Sequence, residues 1–235
     1  MYPTVEIETS NNVYICFCYY YCMTNNHTPQ ATEPEFHSPV PQDSRYVPFT
    51  QQPSCCVPTC VQMVMYRNGI PLRPAEEIGY HLGLVVSPEN SKLFSNVRTA
   101  VEAPPAGYGI QLHLPEYEPN AAFTRMDIPL HFATEPIKDI STPSELLDRL
   151  RTHERDDIDV IVAFNLGILL DDPGLEKAHH ACVFDRVQGE RVRLIDPSFY
   201  APKWRDFSIE QLFTAMKKHV SPEYGGMWLL TKTSA

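Results

Sequence analysis

The residues best suited to chemistry are Cys56, the pair His179-His180 and Asp196. A thiol attacks a carbonyl carbon only as thiolate, and its ordinary pKa near 8.5 leaves most of it protonated at neutral pH. Two devices favour the thiolate: the positive end of a helix dipole and an adjacent imidazolium. Cys56 opens the stretch CVPTCVQMVMYRN, in which Cys56, Cys60, Met63 and Val64 fall on one side at helical spacing and Gly69 supplies a stop. Gln51 and Gln52 lie just upstream, near enough for one amide to face the oxyanion that forms in acyl transfer. His179-His180 opens the β-branched run ACVFDRV, Gln188-Gly189 makes a turn, and the return run RVRLI ends at Asp196-Pro197. Such a hairpin returns Asp196 beside the histidine pair, where a carboxylate can fix the ring tautomer and steady an imidazolium. The pattern assigns Cys56 as nucleophile, His180 as base, Asp196 as orienter and Gln51 as oxyanion donor, with Cys55, His179 and Gln52 as the alternatives beside them.

Plainer roles suit the remaining candidates. Cys55 and Cys60 read as small packing residues of an amphipathic helix. His81, His113, His131 and His219 are scattered and read as ordinary surface or half-buried side chains, and Trp204 and Trp228 as core. Asp171, Asp172 and Glu176 read as a solvated loop ahead of the base, with a mobile lid that would prefer basic substrates as the alternative. Cys55, Cys56, Cys60 and the two histidines match no two-plus-two zinc spacing, so neither metal nor cofactor is expected.

The stretch QQPSCCVPTCVQMVMYRNG resembles the nucleophile segment of bacteriocin-leader (double-glycine) peptidases and their papain-like relatives. Cys56, Pro58-Thr59, Met63 and Gly69 occupy that segment's slots, while Thr50 and Val57 stand where the family usually has glutamine and glycine. HHACVFDRVQGERVRLIDPSFYAPKW resembles the family's second half, and the step of sixteen from His180 to Asp196 fits it better than the step from His179. The same run is similar to phytochelatin synthases. The resemblance implies an α+β papain-like fold, with a helical lobe carrying the thiol and an antiparallel lobe carrying base and acid. It implies a cysteine peptidase acting on a peptide or protein through a Cys56 acyl-enzyme. Transfer of the acyl group to an amine, and a catalytically silent peptide-binding module, are the alternatives.

Elements able to position these residues follow from period and punctuation. Helices are expected over 56–68, after Pro74 to Gly83, and from the capping box Thr142-Pro143-Ser144-Glu145 to about His153. A further helix follows the Ser208-Ile209-Glu210-Gln211 cap, and the 92–102 stretch leans to helix. Strands are expected over 158–164, 181–187, 191–195 and 227–230. Helices first and an antiparallel sheet afterwards read as α+β.

Residues 1–45 are set apart by Pro29, Pro34, Pro39 and Pro41 in polar filler and read as a tail or linker, with the catalytic domain starting near Tyr46. Within that tail, VYICFCYYYCM over 13–23 falls well short of the ~20 residues a membrane span needs and has no basic flank, so no membrane partner is expected. A net charge of −10 argues against nucleic acid and anionic membrane, which need clustered Lys and Arg. Seven cysteines, an odd number without a regular framework or a leader, point to free thiols in a reducing, cytoplasmic setting.

Overall fold

A computed structural model describes residues 41–199, 203–221 and 223–233. The apolar 13–23 stretch with Cys16, Cys18 and Cys22 lies outside the described residues. The helices are α1 (Cys56–Arg67), α2 (Ala75–His81), α3 (Pro119–Arg125), α4 (Pro143–Arg155), α5 (Leu166–Leu170) and α6 (Ile209–Lys217). The strands are β1 (Val85–Val86), β2 (Arg98–Thr99), β3 (Leu130–Pro136), β4 (Asp159–Asn165), β5 (His179–Gln188), β6 (Arg191–Ile195), β7 (Trp204–Ser208) and β8 (Gly226–Lys232). Six strands form one antiparallel sheet in the order β3-β8-β4-β5-β6-β7, and β1 pairs with β2 in a small parallel ribbon. The architecture is α+β, as the period change along the chain implies.

The sheet is covered on both faces, and β4 shows how the sequence encodes this. All seven of its residues are buried. Ile161 and Ala163 pack with α1, whereas Val160, Val162 and Phe164 pack with α4 and α6. A strand buried on both faces reads as a continuous apolar run, which IDVIVAF does. The same alternation splits β5: Ala181 and Val183 belong to the α1 side, Cys182 and Phe184 to the other. α1 lies against β5 closely enough for the Cys60 thiol to reach the Ala181 carbonyl oxygen at 3.5 Å.

Two expectations change. The 92–102 stretch is not a helix. A 3-10 turn over Asn90–Leu93 is followed by β2, whose backbone finds its partners in β1, while Phe94 and Val97 pack around Cys55, Leu84 and Val86. Strands β3 and β7, which the sequence pattern does not announce, form the two sheet edges. Edge strands expose one flank, and the mixed burial of LHFATEP and WRDFS hides the alternation.

The segment leading to α1 is bolted to the sheet. Asp43 pairs with Arg186 at 2.6 Å and Arg193 at 3.0 Å, and the Arg45 backbone N–H donates to Asp185 at 2.7 Å. Asp185 is the extra residue of a β-bulge between β5 and β6, fully buried and also paired with Arg193 at 2.5 Å. These contacts start at Asp43, a little before the Tyr46 boundary suggested by composition. Further along, the Gln51 N–H donates to the Pro197 carbonyl at 2.9 Å, carrying the run into α1 to the end of β6.

The far end of α1 is held by Asp159. Its carboxylate, 2% exposed, accepts from the Tyr46 hydroxyl at 2.5 Å, Arg67 at 2.6 Å and Asn68 at 2.7 Å. Removing one partner of a buried, hydrogen-bonded ion pair costs ~3–5 kcal/mol because the other charge is left uncompensated. Arg67 also pairs with Asp157, whose side chain is exposed, and such pairs contribute under ~1 kcal/mol. Asp159→Ala should therefore lower urea-unfolding stability by about 3–5 kcal/mol and Asp157→Ala by less than about 1 kcal/mol. Equal losses in the two variants would contradict this account of how α1 is anchored.

Candidate active site

Cys56 is the first residue of α1, and no side chain caps that helix start. The leading N–H groups of a helix have no intrahelical partner, and with the helix dipole they favour negative charge at this point. Ser54, two residues earlier, is buried with φ +62°, a left-handed conformation rare for a residue other than glycine. The turn it makes delivers Cys56 to the mouth of a cavity of about 350 Å³. Cys56, His179, His180 and His219 all line that cavity.

His180 stands at the start of β5 and Asp196 directly after β6. The turn at Gln188-Gly189 and the bulge at Asp185 bring them together: His180 Nε2 lies 2.8 Å from Asp196 Oδ1. Both side chains are 2% exposed. Oδ1 also accepts the Ser198 N–H at 2.8 Å, and the Arg205 guanidinium lies 3.1 Å from Oδ2 as a charge contact. The Ser198 hydroxyl is 3.3 Å from His180 Nε2, and Phe164 meets the His180 ring edge-on at 5.9 Å. The thiol in hydrogen-bond contact with the His180 ring is that of Cys182, whose sulfur lies within 4.8 Å of the ring and carboxylate atoms, while Cys56 shares with His180 the wall of the cavity.

The electrostatics follow from these contacts. Burial opposes a charged His180, but the Asp196 carboxylate outweighs it, with a smaller contribution from Cys182, and holds the imidazolium well above its ordinary range. Burial likewise opposes ionised Asp196. The charge of His180, its hydrogen bond, the Ser198 N–H and Arg205 reverse that and hold the carboxyl far below its ordinary range. Burial pushes the Cys182 thiol up to about 12 and the Cys60 thiol well above its ordinary value, so both are held protonated. His179 behaves oppositely to His180: burial, reinforced by neighbouring His219, brings it down to about 4.

Of the residues named from sequence, Cys56 and His180 both line one cavity, and Asp196 is bonded to His180. Gln51 is not on the cavity wall: its backbone is tied to Pro197 and its Oε1 is buried without a hydrogen-bond partner. Gln52 donates to the Leu93 carbonyl at 3.2 Å and serves the loop instead. His179 and His180 are not equivalent, since His179 meets His219 edge-to-face with ring centroids 4.7 Å apart. His219, which reads from sequence as an ordinary surface or half-buried side chain, lines the cavity, and Ser198 and Arg205 are not singled out by the sequence. Ser198 is detectable as the residue two beyond the acid; His219 reaches the site through a loop and carries no local signal.

His180, Cys182 and Asp196 offer nitrogen, sulfur and oxygen atoms within 4.8 Å of one another. They do not suit a metal ion. Asp196 is already engaged by His180, Ser198 and Arg205, and the Arg205 charge beside it would repel a dication.

No protein-family model matches the chain, and no curated protein does. Among solved structures, a crystal structure of a Bacillus anthracis protein designated a C39-like peptidase superposes with a TM-score of 0.50 at 16% identity, covering 80% of this chain and 96% of that one. The helical N-terminal part followed by an antiparallel sheet is thus a papain-like α+β fold, the one this chain shares with that structure. Among the described residues no helix is long and apolar enough to cross a membrane, and Cys56, Cys60 and Cys182 are free thiols.

The depressed value of His179 has a sign that can be checked. Its folded pKa of about 4 lies below the unfolded 6.5, so the unfolded chain binds the extra proton and stability falls as pH drops from 6.5 toward 4. The His180–Asp196 pair runs otherwise. The His180 contribution is full below 6.5 and is lost only as pH rises through its raised folded value. The Asp196 contribution is held above its unfolded value and lost only as pH falls through its depressed folded value. His179→Leu should therefore flatten the loss of stability between pH 6.5 and 4.5 by roughly 1–2 kcal/mol, discounted for the partly exposed ring. Unfolding curves across that range that keep the same slope in both proteins would contradict it.

Proposed function

We propose that the chain is a cysteine peptidase, or an acyl-transfer enzyme of that type, acting on a peptide or protein. The observation that carries this reading is the buried His180–Asp196 pair opening onto the same cavity as a thiol at an uncapped helix start. Cys56, as thiolate, attacks the carbonyl carbon of an amide. His180, held as imidazolium by Asp196, protonates the leaving nitrogen as the C–N bond breaks. The leading N–H groups of α1 face the oxyanion, a role in which the Gln51 side chain would join them after a shift toward the cavity. In deacylation His180 takes a proton from water or an acceptor amine, which attacks the Cys56 thioester and restores the thiol. Among the described residues the free thiols of Cys56, Cys60 and Cys182 suit a reducing compartment such as the cytoplasm.

The test is to trap the acyl-enzyme. Incubation with a peptide library and acid quench should yield, by mass spectrometry, an acyl group attached to Cys56 and absent from Cys56→Ala. Asp196→Asn keeps the size but removes the charge behind His180, and should lower turnover by roughly 10³–10⁴-fold with the fold intact. Absence of any adduct in the parent chain, or full turnover in Asp196→Asn, would refute the assignment.

A further inference from the structure

The cavity beside Cys56 is wider than the chemistry needs, and its wall has a definite composition. Ala163, Ala181, Val57, Leu112 and Trp228 supply apolar surface, and none of the described residues lining it is Asp, Glu, Lys or Arg. The one charge on the wall, the His180 imidazolium, is already paired with Asp196, so a charged side chain placed there would lose its hydration without a free countercharge, which costs several kcal/mol. A glycine would leave most of the volume unfilled. The size is that of a pocket for a bulky group.

The polar groups of interest are His179 and His219. Nδ1 of His179 is buried with no partner, so the ring proton gains nothing there and sits on Nε2, the nitrogen left to the cavity. Nδ1 of His219 is engaged by the Ser221 backbone, its N–H at 3.2 Å and its carbonyl at 3.0 Å, so Nε2 is again the nitrogen left over. Burial keeps both rings below the ordinary histidine range, hence neutral at neutral pH. The wall holding them is fixed. Gly225 lets the loop close on His219, because a Cβ there would come within 2.6 Å of the His219 Cβ. The Tyr224 hydroxyl donates to the Leu112 carbonyl at 2.8 Å, joining the two walls, and Trp228 donates to the Tyr224 carbonyl at 2.7 Å.

We propose that this cavity is a substrate-selecting subsite for a large uncharged aromatic side chain with a hydroxyl at its tip, for which tyrosine is the matching amino acid, and that His179 and His219 read the hydroxyl. A phenol both donates and accepts, so it serves two neutral imidazoles whichever tautomer His219 adopts, and its ring covers the apolar wall. A site built to hydrogen-bond a hydroxyl rejects the analogue lacking it, since the imidazole nitrogens are then left dry and unpaired. The specificity this implies differs from that of a double-glycine peptidase. The inference rests on the reading of Cys56 as the nucleophile beside the cavity.

Binding to the full chain carrying Cys56→Ala, which has no nucleophile, tests the subsite apart from the chemistry. N-acetylated dipeptide amides with tyrosine, phenylalanine, glycine or glutamate at the probing position are titrated by calorimetry. Tyrosine should bind about 5-fold or more tighter than phenylalanine, with glycine and glutamate weaker than both. Adding His179→Leu and His219→Leu, singly and together, should bring tyrosine within about 2-fold of phenylalanine, retained phenylalanine binding showing that the cavity is still formed. Equal tyrosine and phenylalanine affinity before the histidines are changed, glycine or glutamate binding as tightly as tyrosine, or no binding of any peptide would each overturn the subsite. Selective tyrosine binding without an acyl-enzyme in the parent chain would instead refute the proposed function and leave the subsite standing.

Discussion

The arrangement turns on the carboxylate of Asp196, an ionised group taken out of water at the end of a central hairpin. Burying such a charge costs several kcal/mol even after relaxation, and good geometry alone offsets it. The surroundings supply that geometry from three places: His180 across the hairpin, the Ser198 N–H just downstream and Arg205 on β7. Each requires the β5–β6–β7 register to be right. A slip of one residue would put His179, not His180, opposite the acid and turn every side chain of the strand to the other face. The buried pair is thus a constraint on the fold as well as the centre of the proposed chemistry.

The bulge at Asp185 and the strap before α1 are coupled to that constraint. Asp185 adds one residue to β5, so the hairpin twists locally and its ends, not its middle, set the His180–Asp196 meeting. Its carboxylate also receives the Arg45 N–H and Arg193, and Arg193 holds Asp43. The same irregularity that tunes the hairpin therefore anchors the segment that runs past Tyr46 and Gln51 to Cys56. Cys56 and His180 lie more than 120 positions apart in the chain, and the common anchorage of their segments on one hairpin brings both to the wall of one cavity.

Much of this was legible in the sequence, for identifiable reasons. α1, α4 and the α6 capping box announce themselves through period, proline and Ser-x-x-Gln spacing, and the hairpin through β-branched runs around Gln188-Gly189. The pairing of Asp196 with His180 follows from counting residues around that turn. Edge strands β3 and β7 were not legible, because half-exposed strands lack a clean alternation. Nor was the neutral pairing of His179 with His219, which depends on a loop closing over Gly225 and on no local pattern. Gln51 looked suitable by sequence distance alone, yet its backbone bond to Pro197 settles where the chain runs and leaves the side chain off the cavity wall.

The central claim is that the His180–Asp196 pair activates the Cys56 thiol, and the rate of Cys56 alkylation at pH 6 measures this most directly. Iodoacetamide should modify Cys56, located by peptide mapping, many times faster than it modifies free cysteine at that pH. His180→Ala should slow the reaction by at least about tenfold, since the imidazolium favouring the thiolate is gone. A rate equal to that of free cysteine, unchanged by His180→Ala, would contradict the account.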